Sequence, residues 1–235
     1  MKRMSASEHS LQHIGIICDG NRRWAKERNL PVFGGHQCAA DHVFEPLLEK
    51  AAELHIQYLT FWVFSTENWN RDALEVNYLL KLFQQVFDSQ IDRLHKKNIK
   101  LKIIGDMSRF SSDMQERIQK GVELTQNNTA ITAIFALNYG GRDELLRAVK
   151  KCVSAQEKST VITEETITQY LDTSGIPDPD FIIRTGGEHR LSGFLPWQSV
   201  YAELAFPDFY FPDFTPEKLE ELINEYHARS RRFGK

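Results

Sequence analysis

Residues 13–26 read HIGIICDGNRRWAK. A short apolar run, Ile14 to Cys18, stops abruptly at Asp19-Gly20-Asn21-Arg22-Arg23, after which Trp24-Ala25-Lys26-Glu27-Arg28 has the make-up of a first helical turn. This predicts a strand, a tight turn and a helix start. A strand that feeds a helix N-terminus leaves unpaired backbone N–H groups facing outward, and the helix dipole adds partial positive charge, so anions collect there. Two arginines beside one carboxylate sharpen the preference. Guanidinium forks grip phosphate oxygens, while an Asp oxygen suits a hard divalent cation, a pairing that fits a polyphosphate. Residues 19–21 would also serve as a plain turn that caps a helix, so the remaining chain has to decide.

With 235 residues, 41% of them hydrophobic, the chain can bury a full core as one domain. Its formal net charge of −3 argues against a broad nucleic-acid surface, which would need a basic excess, so any basic site is local. Cys18, Cys38 and Cys152 are widely spaced and lack a zinc-type pattern, which suits reduced thiols in the cytoplasm. The N-terminal stretch shows no apolar signal region, and no run approaches the roughly 18 apolar residues of a membrane span. A soluble protein is expected.

Residues 1–12 read as a loose tail ahead of a domain over 13–235. A helical segment is expected from about His36 to His55, and Tyr58 to Phe64 (YLTFWVF) is an aromatic and β-branched run suited to a strand buried on both faces. One helix is predicted from Asp72 to about Lys97. Its stripe of Val76, Leu80, Phe83, Phe87, Ile91 and Leu94, widened by Leu79, Leu82 and Val86, covers about half the circumference. Such a face packs against more than one neighbour or lines a cavity. Further strands are expected at 99–104, 130–137, 181–183 and around 200–206, with helices near 112–126, 142–153, 164–171 and from Pro216. Alternating strands and helices predict an α/β domain with a central, mostly parallel sheet of about six strands flanked by helices.

Polar residues follow each strand: Asp19-Gly20-Asn21, then Ser65-Thr66-Glu67-Asn68, Gly105-Asp106, Asn138-Tyr139-Gly140-Gly141-Arg142 and Arg184-Thr185-Gly186-Gly187. In a parallel sheet these ends share one edge, where open α/β sheets bind ligands. Residues 184–192, RTGGEHRLS, form a second candidate phosphate cradle with two arginines, small residues and a serine. Neither cradle is GxxxxGK[ST] or GxGxxG, which points away from nucleotides and toward two phosphorylated small substrates.

The segments HIGIICDGNRRWAK, FSTENWNR, IGD, NYGGR, IRTGGEHRLS, YAEL and RRFG, in this order over residues 13 to 234, resemble the successive motifs of the cis-prenyltransferase family, best known from undecaprenyl diphosphate synthase. The resemblance implies a homodimeric, Mg²⁺-dependent α/β enzyme. Such an enzyme condenses isopentenyl diphosphate onto an allylic diphosphate such as farnesyl diphosphate, and the cis-polyprenyl chain grows into an apolar tunnel. It also implies site residues. Asp19 handles Mg²⁺ and diphosphate; Gly20, Asn21, Arg22, Arg23 and His36 hold the allylic diphosphate, with Trp24 beside them. Asn68 assists proton removal, and Ser65, Thr66, Glu67, Trp69 and Arg71 shape the site. Arg184, Arg190, Leu191 and Ser192 bind isopentenyl diphosphate, and Glu203 and His189 match metal-contacting positions. Leu79, Phe83 and Val86 become tunnel-wall candidates, RRFG reaches a partner subunit, and a greasy product is compatible with peripheral membrane contact.

Two positions depart from the family pattern. Arg22 stands where glycine is common in bacterial members, and Val32 where an arginine commonly meets the allylic diphosphate. Losing that guanidinium would cost about 1.5–3 kcal/mol unless Arg22 or Arg28 substitutes. Two other readings compete. A phosphohydrolase with Asp19 as nucleophile usually wants a second acid at position 21, which is Asn. A non-catalytic partner subunit of the same fold is disfavoured by the retained Asp19, Asn68, Arg184, Arg190 and Glu203.

Overall fold

A computed structural model describes residues 11–155 and 161–229. Six strands, β1 (His13–Ile17), β2 (Tyr58–Ser65), β3 (Ile99–Ile104), β4 (Ile131–Tyr139), β5 (Phe181–Arg184) and β6 (Glu203–Ala205), form one sheet in the order β3-β4-β2-β1-β5-β6. Every pairing is parallel. Side chains alternate faces as a two-residue period requires. Ile14 and Ile16 of β1, Leu59 and Phe61 of β2, and Phe181 and Ile183 of β5 enter one core, whereas Ile17, Ile134, Ala136 and Ile182 enter another on the opposite face. Burial on both faces explains why β2 reads as a nearly continuous apolar run.

The helices are α1 (Asn21–Glu27), α2 (Gly34–His42), α3 (Phe44–Glu53), α4 (Ala73–Ser89), α5 (Ile91–Lys96), α6 (Ser112–Thr125), α7 (Gly141–Ala155), α8 (Glu164–Tyr170) and α9 (Pro216–Ala228). Residues of α2, α3, α5 and α9 fill the first core. Phe194 and Leu195 enter the second, and the segment that carries them is tied to α7 by Gln198 Nε2 donating to Glu144 Oε2 at 3.2 Å.

Three boundaries differ from expectation. The helix predicted from His36 to His55 is broken at Val43 (φ −109°, ψ −50°) into α2 and α3. Pro46 has no N–H to give the carbonyl of His42, so the ladder cannot run through. The helix predicted from Asp72 to Lys97 is likewise two. Ser89 Oγ donates to Gln85 O at 2.6 Å, a back-bond that bends helices, and the chain turns at Gln90 (φ −108°, ψ −21°), whose side-chain amide donates to Ala40 O at 3.0 Å. At the N-terminal side the fold begins before His13. Leu11 is buried in the first core, and Gln12 O accepts from the backbone N–H groups of Gln57 and Tyr58; residues 1–10 and the RRFG segment lie outside the described residues.

His13 is buried with both ring nitrogens engaged, at 2.7 Å from Pro177 O and 2.7 Å from Thr60 Oγ1. Burial pushes its pKa down to about 4, against partial support from the Pro177 carbonyl and Asp180. Because the unfolded chain titrates near 6.5, it binds more protons than the folded protein between these values. The stability contributed is therefore complete above pH 6.5 and lost as pH falls toward 4. The urea midpoint is expected to fall progressively from pH 7 to 4.5 and to fall less in a His13→Asn variant; equal slopes would contradict this account.

Candidate active site

The C-terminal ends of β1, β2 and β5 meet where strand order turns back on either side of β1, the place at which a crevice opens in such sheets. After β1 the chain turns at Gly20 with φ 97°, a left-handed conformation that side-chain-bearing residues seldom adopt, and a Cβ there would stand 2.5 Å from the Tyr210 ring. The turn presents the Asp19 carboxylate, which is 30% exposed. Asp19 Oδ2 accepts from Arg184 Nη2 at 2.8 Å and Nε at 3.3 Å; Oδ1 accepts from Gly20 N at 2.6 Å and faces Arg23 Nη2 at 3.4 Å. From its other side Arg184 donates Nη1 to Arg190 O at 2.6 Å and to Ser192 Oγ at 2.8 Å. One buried guanidinium therefore joins the two predicted phosphate cradles, with Asp19 and Arg190 on the same rim.

A polar cleft of about 690 Å³ opens at this rim, lined by Asp19, Gly20, Asn21, Arg22, Arg23, His36, Ser65, Asn68, Arg71 and Arg184. Asn68 Oδ1 accepts from Ser65 N at 3.1 Å, closing the first turn after β2. That contact fixes the amide and leaves its N–H donors for a ligand. Asn21 Nδ2 donates to Cys18 O at 2.8 Å, but Asn21 Oδ1 is buried with no hydrogen-bond partner, as is His36 Nε2. Native interiors leave few such atoms, and each requires an explanation. Burial, with Arg71 and Arg22 adding to it, lowers the His36 pKa to about 3, so the ring is neutral.

Beneath the cleft lies a narrow apolar cavity of about 80 Å³. Cys18, Asn21, His36 and Val63 line both spaces, so the cavity continues the cleft inward. Leu79, Leu82, Phe83, Val86 and Phe87 of α4 form one wall, opposite residues of α2, α3 and β4. Val76 and Leu79 also pack with Met114 and Ile118 of α6. The broad stripe on α4 thus serves two purposes, core and cavity wall.

Several predicted site residues lie elsewhere. Trp24 turns away from the cleft: its indole N–H donates to Asp213 Oδ1 at 2.7 Å and Arg28 lies 4.3 Å over its ring. Trp69 packs edge-on to Phe64 and Phe110 and donates to Asn138 Oδ1 at 2.8 Å. Thr66 backs onto Gly140, and Glu67 is exposed. Leu191 packs against the second core. Arg190 stays on the rim, where its Nη1 pairs with Glu188 Oε2 at 2.5 Å, whereas exposed His189 stacks on Phe206. Glu203 is not brought to Asp19 within this chain. Its Cα pairs with Phe181 at the start of β5, whereas Asp19 follows Ile17, which pairs with Arg184 at the end. Three steps at about 3.3 Å per residue separate those levels, and Glu203 bonds Arg229 at 3.1 Å instead.

Glu75, Glu188 and Tyr210 escaped the sequence reading. Glu75 had a signal, since it follows Arg71 by four residues at a helix start, a spacing that brings opposite charges together. Tyr210 had none, because it reaches Gly20 and the Arg23 guanidinium only through the fold.

The undecaprenyl diphosphate synthase family model matches residues 17–234. The chain belongs to this prenyltransferase family. It is 44% identical over 230 residues to an isoprenyl transferase of Neisseria meningitidis, covering 97% of this chain and 92% of that one. An isoprenyl transferase of Rickettsia typhi is 41% identical over 226 residues, 96% of this chain and 99% of the relative. The fold matches lavandulyl diphosphate synthase of Lavandula x intermedia, solved with dimethylallyl diphosphate, at TM-score 0.91 and 34% identity over 95% and 98% of the two chains. It also matches a probable undecaprenyl diphosphate synthase of Campylobacter jejuni, at TM-score 0.80 and 33% identity over 97% and 100%. Among the described residues no helix is long and apolar enough to cross a membrane.

Proposed function

We propose that this prenyltransferase condenses isopentenyl diphosphate onto an allylic diphosphate, with farnesyl diphosphate as primer, to give a cis-polyprenyl diphosphate such as undecaprenyl diphosphate, a lipid carrier for cell-wall glycan synthesis. The observation that carries this reading is the shared wall of cleft and cavity: a charged vestibule for diphosphates opens onto an apolar space for a hydrocarbon chain. In the reaction the allylic C–O bond breaks, diphosphate leaves with the electron pair, the isopentenyl double bond attacks the cation to form the new C–C bond, and the adjacent C–H bond breaks to give the new double bond, its proton passing to the released diphosphate or to water. Negative charge grows on the leaving group. Pre-aimed guanidinium and N–H donors stabilise that charge more in the transition state than before it, and the apolar wall keeps the cation from water. Asn68, an amide whose oxygen is already engaged, orients a substrate and does not accept the proton.

Asp19 is the one carboxylate among the residues that line the cleft, and the described residues hold no group of three His, Cys, Asp or Glu side chains that could enclose a metal by themselves. Mg²⁺ commonly takes one or two carboxylates and completes its shell with water and substrate phosphates, so Asp19 is the protein ligand we assign. Bound there, the ion would supply charge neutralisation for the departing diphosphate. Homodimerisation is supported by an exposed stripe on α7, Leu146, Val149 and Val153, and by Leu204 on the edge strand.

The purified chain incubated with farnesyl diphosphate, radiolabelled isopentenyl diphosphate and Mg²⁺ is expected to yield butanol-extractable polyprenyl product. Release of phosphate alone would indicate a hydrolase, and no turnover a non-catalytic subunit. Phe83→Ala is expected to lengthen the product by at least one five-carbon unit, read by chromatography of the dephosphorylated polyprenols. Its ring is only partly buried, so the stability cost should stay below the roughly 3–5 kcal/mol of a fully buried Phe→Ala change. Unchanged product length would remove Phe83 from the tunnel wall.

A further inference from the structure

We propose that Glu75 is a positioning residue that holds the Arg22 and Arg71 guanidiniums around His36, so that the three groups form one receptor for the distal phosphate of an allylic diphosphate. The inference rests on the diphosphate-binding reading of the cleft. Glu75 stands in the first turn of α4, and its side chain is 8% exposed. Its Oε1 accepts from Arg71 Nη1 at 2.8 Å, and its Oε2 faces Arg22 Nη1 at 3.8 Å. A carboxylate this buried requires compensation. Both of its cations belong to the cleft lining, one from α1 and one from the turn before α4.

His36 lines the same cleft as both guanidiniums, and each of them disfavours its protonated form. Its Nε2 is buried and unpartnered in the same cleft. A neutral imidazole with a proton on Nε2 donates one hydrogen bond to a phosphate oxygen, which would answer the orphaned atom. The other guanidiniums at the rim are engaged. Arg28 bonds Asp213 at 3.2 and 3.3 Å and stacks on Trp24. Arg23 faces Asp19 and Glu188, and Arg184 bridges Asp19 to the 190–192 segment. Lys26 is an exposed ammonium on a flexible stem. Leu30 and Val32 make the adjoining lining apolar. Arg22 and Arg71 therefore have the forks with most donors to spare, since a guanidinium carries five N–H groups and Glu75 takes few of them.

Glu75 takes one donor of Arg71 and faces one nitrogen of Arg22, which leaves most of both forks for the phosphate. Without Glu75 the two cations repel across a neutral ring, and Arg22, already 58% exposed, is free to turn into solvent. Its fork would then have to be ordered anew by each substrate.

Steady-state kinetics with each substrate varied in turn test the proposal. Glu75→Gln is expected to raise the farnesyl diphosphate KM about tenfold, the size of one lost charge-assisted contact, with kcat and the isopentenyl diphosphate KM within about twofold. Glu75→Asp should restore most of the loss. Arg22→Ala should raise the same KM about tenfold alone, but add less than about twofold on top of Glu75→Gln, as coupled residues do. An unchanged or lower allylic KM in Glu75→Gln, or parallel losses for both substrates, would overturn the proposal. Should Glu75→Gln fail to fold, Arg22→Ala at an exposed side chain decides alone, and an unchanged allylic KM refutes it. Calorimetric titration with inorganic pyrophosphate separates this from the reaction itself. Weaker binding by Glu75→Gln, in a protein of which no form elongates, would sink the condensation reading and keep the receptor.

Discussion

Asp19→Asn is expected to lower kcat for chain elongation roughly a thousandfold, about 4 kcal/mol of transition-state stabilisation, while the far-ultraviolet circular dichroism spectrum stays that of the wild type. The magnitude follows from the task assigned to this carboxylate. An amide has the shape of the carboxylate and can still accept from Arg184, but it has no charge to offer a divalent cation. The folded state should tolerate the change. Asp19 is about a third exposed, and its backbone is held independently: Asp19 N donates to Thr185 Oγ1 at 3.1 Å, and the Thr185 hydroxyl donates to Asp19 O at 2.8 Å. Loss of the charge leaves Arg184 with a neutral acceptor, so a stability decrease of about 1–3 kcal/mol is expected in urea unfolding. Near-normal turnover in Asp19→Asn would refute the role given to this residue, and a collapsed spectrum would mean that the corner fails structurally before it fails chemically.

The order of the elements was legible because the strands are buried on both faces and leave apolar runs that end in polar turns. Ile14 to Cys18, Tyr58 to Phe64 and Phe181 to Ile183 each identify a strand to within a residue or two at either end. Where a run continues through a weak point, periodicity misleads. The stripe from Val76 to Leu94 keeps its phase across the break at Gln90, and the signals that break the helix there, a serine back-bond and a glutamine reaching another helix, are single-residue events. The convergence of Asp19, Arg184 and Asn68 was likewise legible, since parallel strands put their ends on one edge. The counter-charges were legible only at Glu75, which follows Arg71 by four residues. Its reach to Arg22, and the pairings of Glu188 and Asp213 that set which arginines are engaged, depend on side-chain directions that spacing does not encode. The same limit explains Trp24 and Trp69. Both lie inside family-like motifs, yet their indoles pack outward from the cleft and act as struts between segments distant in sequence.

Arg184→Ala is the second large expected effect, and it should differ in kind from the first. In the folded protein Nε and Nη2 of Arg184 point to Asp19, and Nη1 donates to both Arg190 O and Ser192 Oγ. Those contacts use four of the five N–H donors a guanidinium has, so Arg184 has one left for a substrate oxygen. Its larger contribution is to tie the Asp19 corner to the 190–192 segment. Removing it leaves an acidic group and a serine hydroxyl without this partner in a site where Arg184 itself is 5% exposed. Asp19 is 30% exposed and keeps Gly20 N and Arg23 as partners, so the urea unfolding free energy should fall by about 1–3 kcal/mol. Elongation should fall at least a hundredfold, with the KM for isopentenyl diphosphate rising because Arg190 and Ser192 lose their anchor. Arg184→Lys sharpens the test. A lysine keeps the charge but has a single ammonium that cannot span two oxygens of Asp19 and two acceptors beyond it, so it should recover part of the stability and little of the affinity. If Lys restored isopentenyl diphosphate affinity, Arg184 would be a point charge for the substrate. If Ala left stability unchanged, it would not be the strut that joins the two cradles.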